Sequence, residues 1–144
     1  MSLLSVQLEN GGSAGLTVTG SSMIPMLYDR RDSVTLALVD GSEKKGDIIL
    51  YKRENGAYVL HRIIAVNEDG FVCSGDNQYM REQVGRDQLL AKVTAFVRKG
   101  KPVSVENKRY RCYVALWVGF FPLRGLYIPV RRFLGKLTRN RIGK

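Results

Sequence analysis

Short runs of β-branched and apolar residues, separated by glycine-containing turns, constrain the possible fold more than any other feature of this sequence. Val, Ile and Thr favour strands, whereas Gly, Asp and Asn at the ends of the runs favour tight turns. The Asn55-Gly56 pair is typical of a two-residue β-hairpin. No helical segment separates the runs, so we expect a mainly β fold, an antiparallel meander folded into a small barrel. The predicted strands are residues 16–19, 33–39, 48–51, 57–66, 71–73 and 89–97.

The charge of the chain changes sharply near residue 98. Residues 1–97 contain ten Lys and Arg against twelve Asp and Glu, a net charge of −2. Residues 98–144 contain thirteen Lys and Arg against one Glu, a net charge of +12. A chain of 144 residues is long enough for one domain with its own core. We therefore predict a globular domain over residues 1–107 and a basic, aromatic and helical C-terminal extension over residues 108–144.

The extension contains an apolar run from Cys112 to Leu123. This run is too short for a transmembrane helix, which needs about 20 residues. Three interpretations stay open. The run packs on the domain as ordinary core, or it lies in a membrane interface with Lys and Arg at anionic headgroups. Binding of nucleic acid is the third, and it is disfavoured because no recognised binding motif is present.

Residues 1–10 lack the basic and apolar pattern of a signal peptide. We therefore expect a cytoplasmic or peripheral membrane protein. The two cysteines, Cys73 and Cys112, have no second Cys or His at metal-ligand spacing. We accordingly expect free thiols and predict neither a metal nor a cofactor. The sequence makes no prediction of the oligomeric state.

Ser22 lies in a turn, Gly20 to Pro25, where the chain is expected to be rigid. Gly20 can adopt a positive φ, which ends the preceding strand. Pro25 fixes its own φ and disfavours a helix through the segment. We expect Ser22 to lie at a strand end, partly exposed and rigidly held. The alternative interpretation is an ordinary Gly/Ser turn without a function.

His61 is the single histidine of the chain and lies in the predicted strand 57–66. Histidine is the usual general base at neutral pH, although a histidine on a strand can also be purely structural. A serine nucleophile needs such a base to take its proton, and the base needs a carboxylate to orient it. Ser22, His61 and the acidic residues Asp76 and Glu82 supply these three chemical components.

Five short segments carry a family resemblance over residues 16–98. They are Gly20-x-Ser22-Met23-x-Pro25, Gly46-Asp47-Ile48-Ile49-Leu50-Tyr51, His61-Arg62-Ile63-Ile64, Gly75-Asp76-Asn77 and Ala91-Lys92-Val93. In this order and at this spacing they resemble the type I signal peptidase family and its self-cleaving repressor relatives. The resemblance implies the small barrel of that family. The bacterial branch has Lys-Arg at the strand position of His61-Arg62, whereas a histidine there is similar to the endoplasmic-reticulum and archaeal branch.

By this resemblance Ser22 is the nucleophile and His61 the general base of a serine peptidase. Asp76 and Glu82 are the candidate acids, and we expect one of them to orient His61 and the other to hold the loop. The resemblance assigns the oxyanion to the backbone N–H of Ser22. Gly20 supplies no side-chain donor, and an oxyanion donor is typically worth about 3 kcal/mol.

Two further points stay open. Lys45 and Lys52 are alternative bases, although neither lies in the matching segment, and Arg62 is expected to be a solvated or salt-bridged strand residue.

The chain shows no N-terminal anchor, so we expect a freestanding serine endopeptidase that cleaves a leader, signal-like or other extended peptide. The alternative is a binding module of the same fold that docks on membrane or nucleic acid through its basic extension.

Overall fold

The computed structural model describes residue 10 and residues 12–142. The described chain consists of antiparallel strands followed by two helices, as predicted. The strands are β1 (Ala14–Thr17), β2 (Ser33–Leu38), β3 (Ile48–Lys52), β4 (Tyr58–Asn67), β5 (Gly70–Ser74), β6 (Glu82–Gly85), β7 (Leu89–Arg98) and β8 (Lys101–Ser104). The helices are α1 (Lys108–Gly119) and α2 (Arg124–Ile142). Short 3-10 turns occur at Arg86–Gln88 and Phe121–Leu123.

The strands form one open sheet in the order β1-β2-β7-β3-β4-β5-β6, with β8 paired to β7. Strands β3 to β6 form a meander, and β7 returns between β2 and β3. The expected closure into a barrel is wrong, because closure needs a hydrogen-bonded ladder between the end strands. Within the described residues, β1 pairs with β2 and β6 pairs with β5, and neither four-residue end strand reaches the other.

The predicted strands agree with the structure except at three places. The first strand begins and ends two residues earlier than expected. Strand β6 is absent from the predicted strands, and it lies in a polar stretch that begins with Glu82, a residue depleted in strands. Strand β8 follows a tight turn in which Lys99 and Gly100 both have a positive φ, and its sequence lacks a β-branched run. Both missed strands are short and depend on a longer neighbour for their hydrogen bonds.

Strand β3 is buried on both faces and joins two apolar clusters. Ile48 and Leu50 belong to the larger cluster, which also contains Met23 and residues of β2 and β7. Ile49 and Tyr51 belong to the second cluster, with residues of β4 and β5. Alternate residues of a strand point to opposite faces, so the continuous apolar run Ile48 to Tyr51 is explained.

The extension begins as a helix at the predicted boundary and packs on the sheet. The Asn107 side chain caps α1 by accepting hydrogen bonds from the backbone N–H groups of Arg109 and Tyr110 at 3.0 and 3.2 Å. Tyr110 is buried with its ring centroid 5.0 Å from that of Phe96. The aromatic face of α1 is therefore part of the core.

Helix α2 is less covered than α1. Arg124 and Ile128 are buried, whereas most of its large apolar residues are exposed. In the part of the chain that the structure describes, neither helix is by itself long and apolar enough to cross a bilayer. The segments Lys108–Gly119 and Phe121–Leu137 together have the length and composition, with a bend of 59° between them.

Candidate active site

Ser22 lies in a turn that packs against the end of β5. Gly20 has φ of 85°, which confirms that this position needs glycine, and its N–H donates to the Asp29 carboxylate at 2.7 Å. The carbonyl of Ser22 accepts a hydrogen bond from the backbone N–H of Asn77 at 2.8 Å. Because β1 already ends at Thr17, Ser22 is in the turn itself and not at the strand end. It is half-buried, as expected.

Gly75 allows this close approach. A Cβ atom at position 75 would lie 2.5 Å from the Ser22 carbonyl oxygen and 3.0 Å from the Ser22 Cβ. Contacts as close as the first do not occur between real Cβ atoms and backbone oxygens. Glycine is therefore required because the Ser22 turn lies directly on the backbone of the Gly75 segment.

The Ser22 turn packs next to the segment that pairs with the His61 strand. Arg62 of β4, the neighbour of His61, is paired with Ser74, the last residue of β5, and Gly75 follows Ser74 directly. The Ser22 turn therefore lies on the backbone just beyond the end of β5. Among the hydrogen bonds of the described residues, none joins Ser22 Oγ to His61.

A tyrosine fixes the tautomer of His61. His61 is buried, and its Nδ1 lies 3.2 Å from the Tyr51 hydroxyl. That hydroxyl donates its one hydrogen to Glu82 Oε2 at 2.8 Å. It can therefore only accept from His61, so the proton of the neutral imidazole is on Nδ1. Nε2 is left with a free lone pair, the form in which histidine acts as a base.

Glu82 is held in its ionised form by Arg53. The Arg53 guanidinium donates to both carboxylate oxygens at 2.7 Å. These hydrogen bonds lower the pKa of Glu82, although partial burial opposes them. Burial and the Glu82 hydrogen bond raise the pKa of Tyr51, so Tyr51 keeps the proton that it donates. Of the two predicted acids, Glu82 is the one connected to His61, and the connection runs through Tyr51.

Sequence reasoning missed Tyr51 as a site residue. It lies at the end of the predicted strand 48–51, where it was counted as a strand residue only. A buried tyrosine hydroxyl generally needs a polar partner, and this requirement could have indicated Tyr51 as a member of a polar site. The partner, Glu82, is 31 positions away in sequence, so only the fold brings the two together.

Burial lowers the pKa of His61 to about 4, and the negative charge of Glu82 only partly opposes this effect. The imidazole is therefore neutral at physiological pH. The half-buried Glu82 carboxylate, connected through one hydroxyl, also favours the imidazolium that forms once the base has taken a proton.

His61 lines a cleft of about 420 Å³. Among the hydrogen bonds of the described residues, none involves His61 Nε2, and this nitrogen is not one of their fully buried side-chain atoms without a partner. Ser22 itself does not line the cleft. The lining includes Arg53, His61, Tyr79, Met80, Arg81, Glu82 and Arg132.

The Asp76 carboxylate is paired with Arg62, whereas a catalytic acid would be hydrogen-bonded to His61. The Asp76 carboxylate accepts two hydrogen bonds from the Arg62 guanidinium, at 2.8 and 2.7 Å, and both side chains are fully buried. Arg62 also donates to the carbonyl of Gly46 and to the Tyr110 hydroxyl. Burial lowers the pKa of Arg62, but the charge and hydrogen bonds of Asp76 outweigh it, so Arg62 stays charged. Arg62 is salt-bridged, and the solvated alternative is wrong.

The Asp76 segment also anchors α1. The Tyr113 hydroxyl donates to Asp76 Oδ2 at 3.1 Å, and the Trp117 indole N–H donates to the Asp76 carbonyl at 3.2 Å. Arg124 at the start of α2 donates to the carbonyl of Gly75 at 3.3 Å. The structure thus places Asp76 as the residue that holds the loop and joins it to the helices.

Other reactive groups near the site are poorly suited to catalysis. Cys73 is on β5, two residues before Gly75, but burial raises the pKa of its thiol to about 12, so no thiolate forms at neutral pH. Lys52 is exposed, with its ammonium 5.6 Å from the centroid of the Tyr58 ring. Lys45 borders a separate groove beside α1.

The described residues contain no group of three or more His, Cys, Asp or Glu side chains that could hold a metal ion. Comparison of the chain with models of protein families, with curated proteins and with solved structures finds no match.

Proposed function

We propose that this protein is a serine endopeptidase in which Ser22 is the nucleophile and His61 the general base. One observation carries the proposal. The hydrogen-bonded series Glu82, Tyr51 and His61 leaves a neutral imidazole with Nε2 free on β4, and the Ser22 turn packs just beyond the end of β5, the strand paired with β4. The resemblance to type I signal peptidases supports the same pair of residues.

The reaction follows from these positions. As a peptide binds, Ser22 Oγ approaches His61 Nε2, gives up its proton and attacks the substrate carbonyl carbon. The backbone N–H of Ser22 donates no hydrogen bond within the described residues, so it is free to bind the oxyanion. The imidazolium then protonates the leaving amine as the peptide bond breaks. Water, activated by the same imidazole, hydrolyses the acyl-enzyme.

Strand β6 suits an extended substrate. It ends the sheet, and its first residue, Glu82, lines the cleft beside His61. The outer edge of an end strand has unpaired backbone groups that can bind a peptide as an additional strand. A leader, signal-like or other extended peptide is therefore the substrate class that we propose.

Mass spectrometry of a peptide library after incubation with the protein tests the proposal. We expect the wild type to cleave a subset of peptides and Ser22→Ala to cleave none of them. Ser21→Ala changes a neighbouring, exposed serine and is the matched control, which should cleave the same peptides. Cleavage by Ser22→Ala at the wild-type sites would refute the assignment of the nucleophile.

A binding module of the same fold is the second candidate function. The observation that favours it is the exposed apolar surface of the C-terminal helices, which catalysis does not use. Such a module would bind its partner with Ser22 replaced, whereas the peptidase would lose all activity.

A further inference from the structure

Helix α2 exposes a continuous apolar stripe. Large apolar side chains recur at intervals of three or four residues, and each is between 48% and 73% exposed. The apolar stripe consists of Leu126, Tyr127, Val130, Phe133 and Leu137. At about 100° per residue these positions fall within an arc of roughly 120° on one side of the helix. An amphipathic helix of a globular protein normally turns such a face towards the core.

The opposite side of α2 is the one that contacts the domain. Ile128 is 1% exposed and lies across the helix from the stripe. Arg124 donates to the Gly75 carbonyl, and Arg131 donates to the Asn77 side-chain oxygen. These contacts fix the rotation of the helix. The apolar stripe therefore points away from the domain because of how α2 is anchored.

The exposed surface continues beyond α2. Leu116 of the first helix, and Phe120 and Leu123 in the connection between the helices, are each more than half exposed. Monomeric soluble proteins rarely expose apolar patches larger than a few hundred Å². A surface of eight large apolar side chains along two consecutive helices is typical of an interaction site.

The charge of the extension indicates what the surface binds. Residues 108–144 contain ten Lys and Arg and no Asp or Glu. At about 100° per residue, Lys136 and Arg131 lie next to the two edges of the apolar stripe, whereas Arg132 and Arg139 lie on the side of Ile128. Apolar residues flanked by long cationic side chains fit a bilayer with anionic headgroups. A second copy of the chain fits poorly, because its surface would bring another set of positive charges against the first.

We propose that the apolar stripe and its cationic flanks dock this protein peripherally on an anionic lipid bilayer. Arg132, in α2, also lines the cleft beside His61 and donates to the Asn77 carbonyl. The docked helix therefore brings the cleft close to the membrane surface. The docking does not depend on the proposed peptidase activity.

Co-sedimentation with vesicles tests the proposal. We expect binding to phosphatidylcholine vesicles that contain phosphatidylglycerol, and much weaker binding to phosphatidylcholine alone. The double variant Leu126→Glu/Phe133→Glu should weaken binding by at least about tenfold, because two carboxylates replace apolar side chains in the interface. Val66→Glu, at an exposed apolar position of β4, is the matched control and should bind like the wild type. Circular dichroism checks that each variant is folded.

A second variant keeps the test independent of apolar residues. Lys136→Glu, at an edge of the stripe, should weaken binding to anionic vesicles and reduce its sensitivity to salt. Equal binding of the wild type to both kinds of vesicle, or no binding at all, would overturn the proposal. A concentration-dependent dimer that only the Leu126→Glu/Phe133→Glu variant loses would also overturn it, since a second copy would then cover the stripe.

Discussion

At the scale of single residues, the direction of one hydrogen bond decides the chemistry of the site. Glu82 accepts a hydrogen bond from the Tyr51 hydroxyl, so the Tyr51 oxygen must accept a hydrogen bond from His61 Nδ1. Nε2 is then the basic nitrogen. If Tyr51 donated to His61 instead, Nδ1 would carry the lone pair and Nε2 the proton. Glu82 therefore acts on His61 through two consecutive hydrogen bonds and is a positioning residue.

Tyr51→Phe tests this arrangement. The change removes the acceptor of the Nδ1 proton, so the tautomer is no longer fixed, and we expect kcat to fall about a hundredfold while KM changes little. Glu82→Gln should have a similar effect, because its amide can donate to Tyr51 and reverse the hydrogen bond. Steady-state kinetics on a cleaved peptide give both values. Tyr58→Phe, at an exposed tyrosine, is the control, and an equal loss there would contradict the interpretation.

His61 also makes the stability of the protein dependent on pH. The pKa of His61 is about 4 in the folded protein, against 6.5 when unperturbed. The unfolded chain therefore binds more protons between these values, and stability falls as the pH falls through this window. Between about pH 7.5 and about pH 5 the wild type should lose about 2 kcal/mol more than His61→Gln. Urea unfolding of both proteins at the two pH values measures the difference, and equal losses would argue against a buried neutral histidine.

At the scale of elements, the end of β5 brings the site together. Gly75 receives the Ser22 turn, and Asp76 holds the adjoining loop to Arg62 and to α1. Both residues directly follow Ser74, which is paired with Arg62, the neighbour of His61.

Gly75→Ala should abolish activity by displacing the Ser22 turn. The new Cβ would lie 2.5 Å from the Ser22 carbonyl oxygen, so the turn must move away from His61. Gly15→Ala is the control, because a Cβ there meets no atom within 4 Å. Peptide cleavage and thermal unfolding of both variants are measured together. A fully active Gly75→Ala protein would show that Ser22 does not act from this position.

Asp76→Asn should destabilise the protein by about 3 kcal/mol or more, because it leaves the Arg62 charge buried without a counter-ion. The double variant Asp76→Leu/Arg62→Met removes both charges and should be more stable than Asp76→Asn. Urea unfolding measures these differences. If Asp76→Asn were as stable as the wild type but inactive, Asp76 would be a catalytic acid and not the structural residue that the fold indicates.

At the scale of the whole molecule, the sequence predicted the strands more reliably than it predicted their arrangement. The alternation of side chains between the two faces, together with turn residues, identified β2, β3, β4, β5 and β7. The formation of these strands is evident from the local sequence pattern. The open sheet could not be predicted, since the pairing of β7 between β2 and β3 depends on contacts between distant segments. Glu82 was identified as a candidate acid from the family resemblance. Its connection to His61 through Tyr51 depends on contacts between distant segments, so the sequence did not predict it.

The extension shows the same limit. Its helical character and its charge are evident from composition. Which side of α2 faces the domain depends on Arg124, Ile128 and Arg131, whose partners are in distant loops or in other elements. The interpretation as core holds for α1, while the stripe on α2 stays exposed and leads to the proposed membrane contact.

The pH dependence of kcat/KM on one cleaved peptide, for the wild type, Ser22→Ala and His61→Gln, tests the central claim most directly. We predict that both variants lose at least about a thousandfold in kcat/KM. In the wild type the value should stay constant from neutral pH downwards and fall only near pH 4, where His61 is protonated. Substantial activity in either variant, or an acid limb at the ordinary histidine pKa, would contradict a buried, neutral His61 as the base for Ser22.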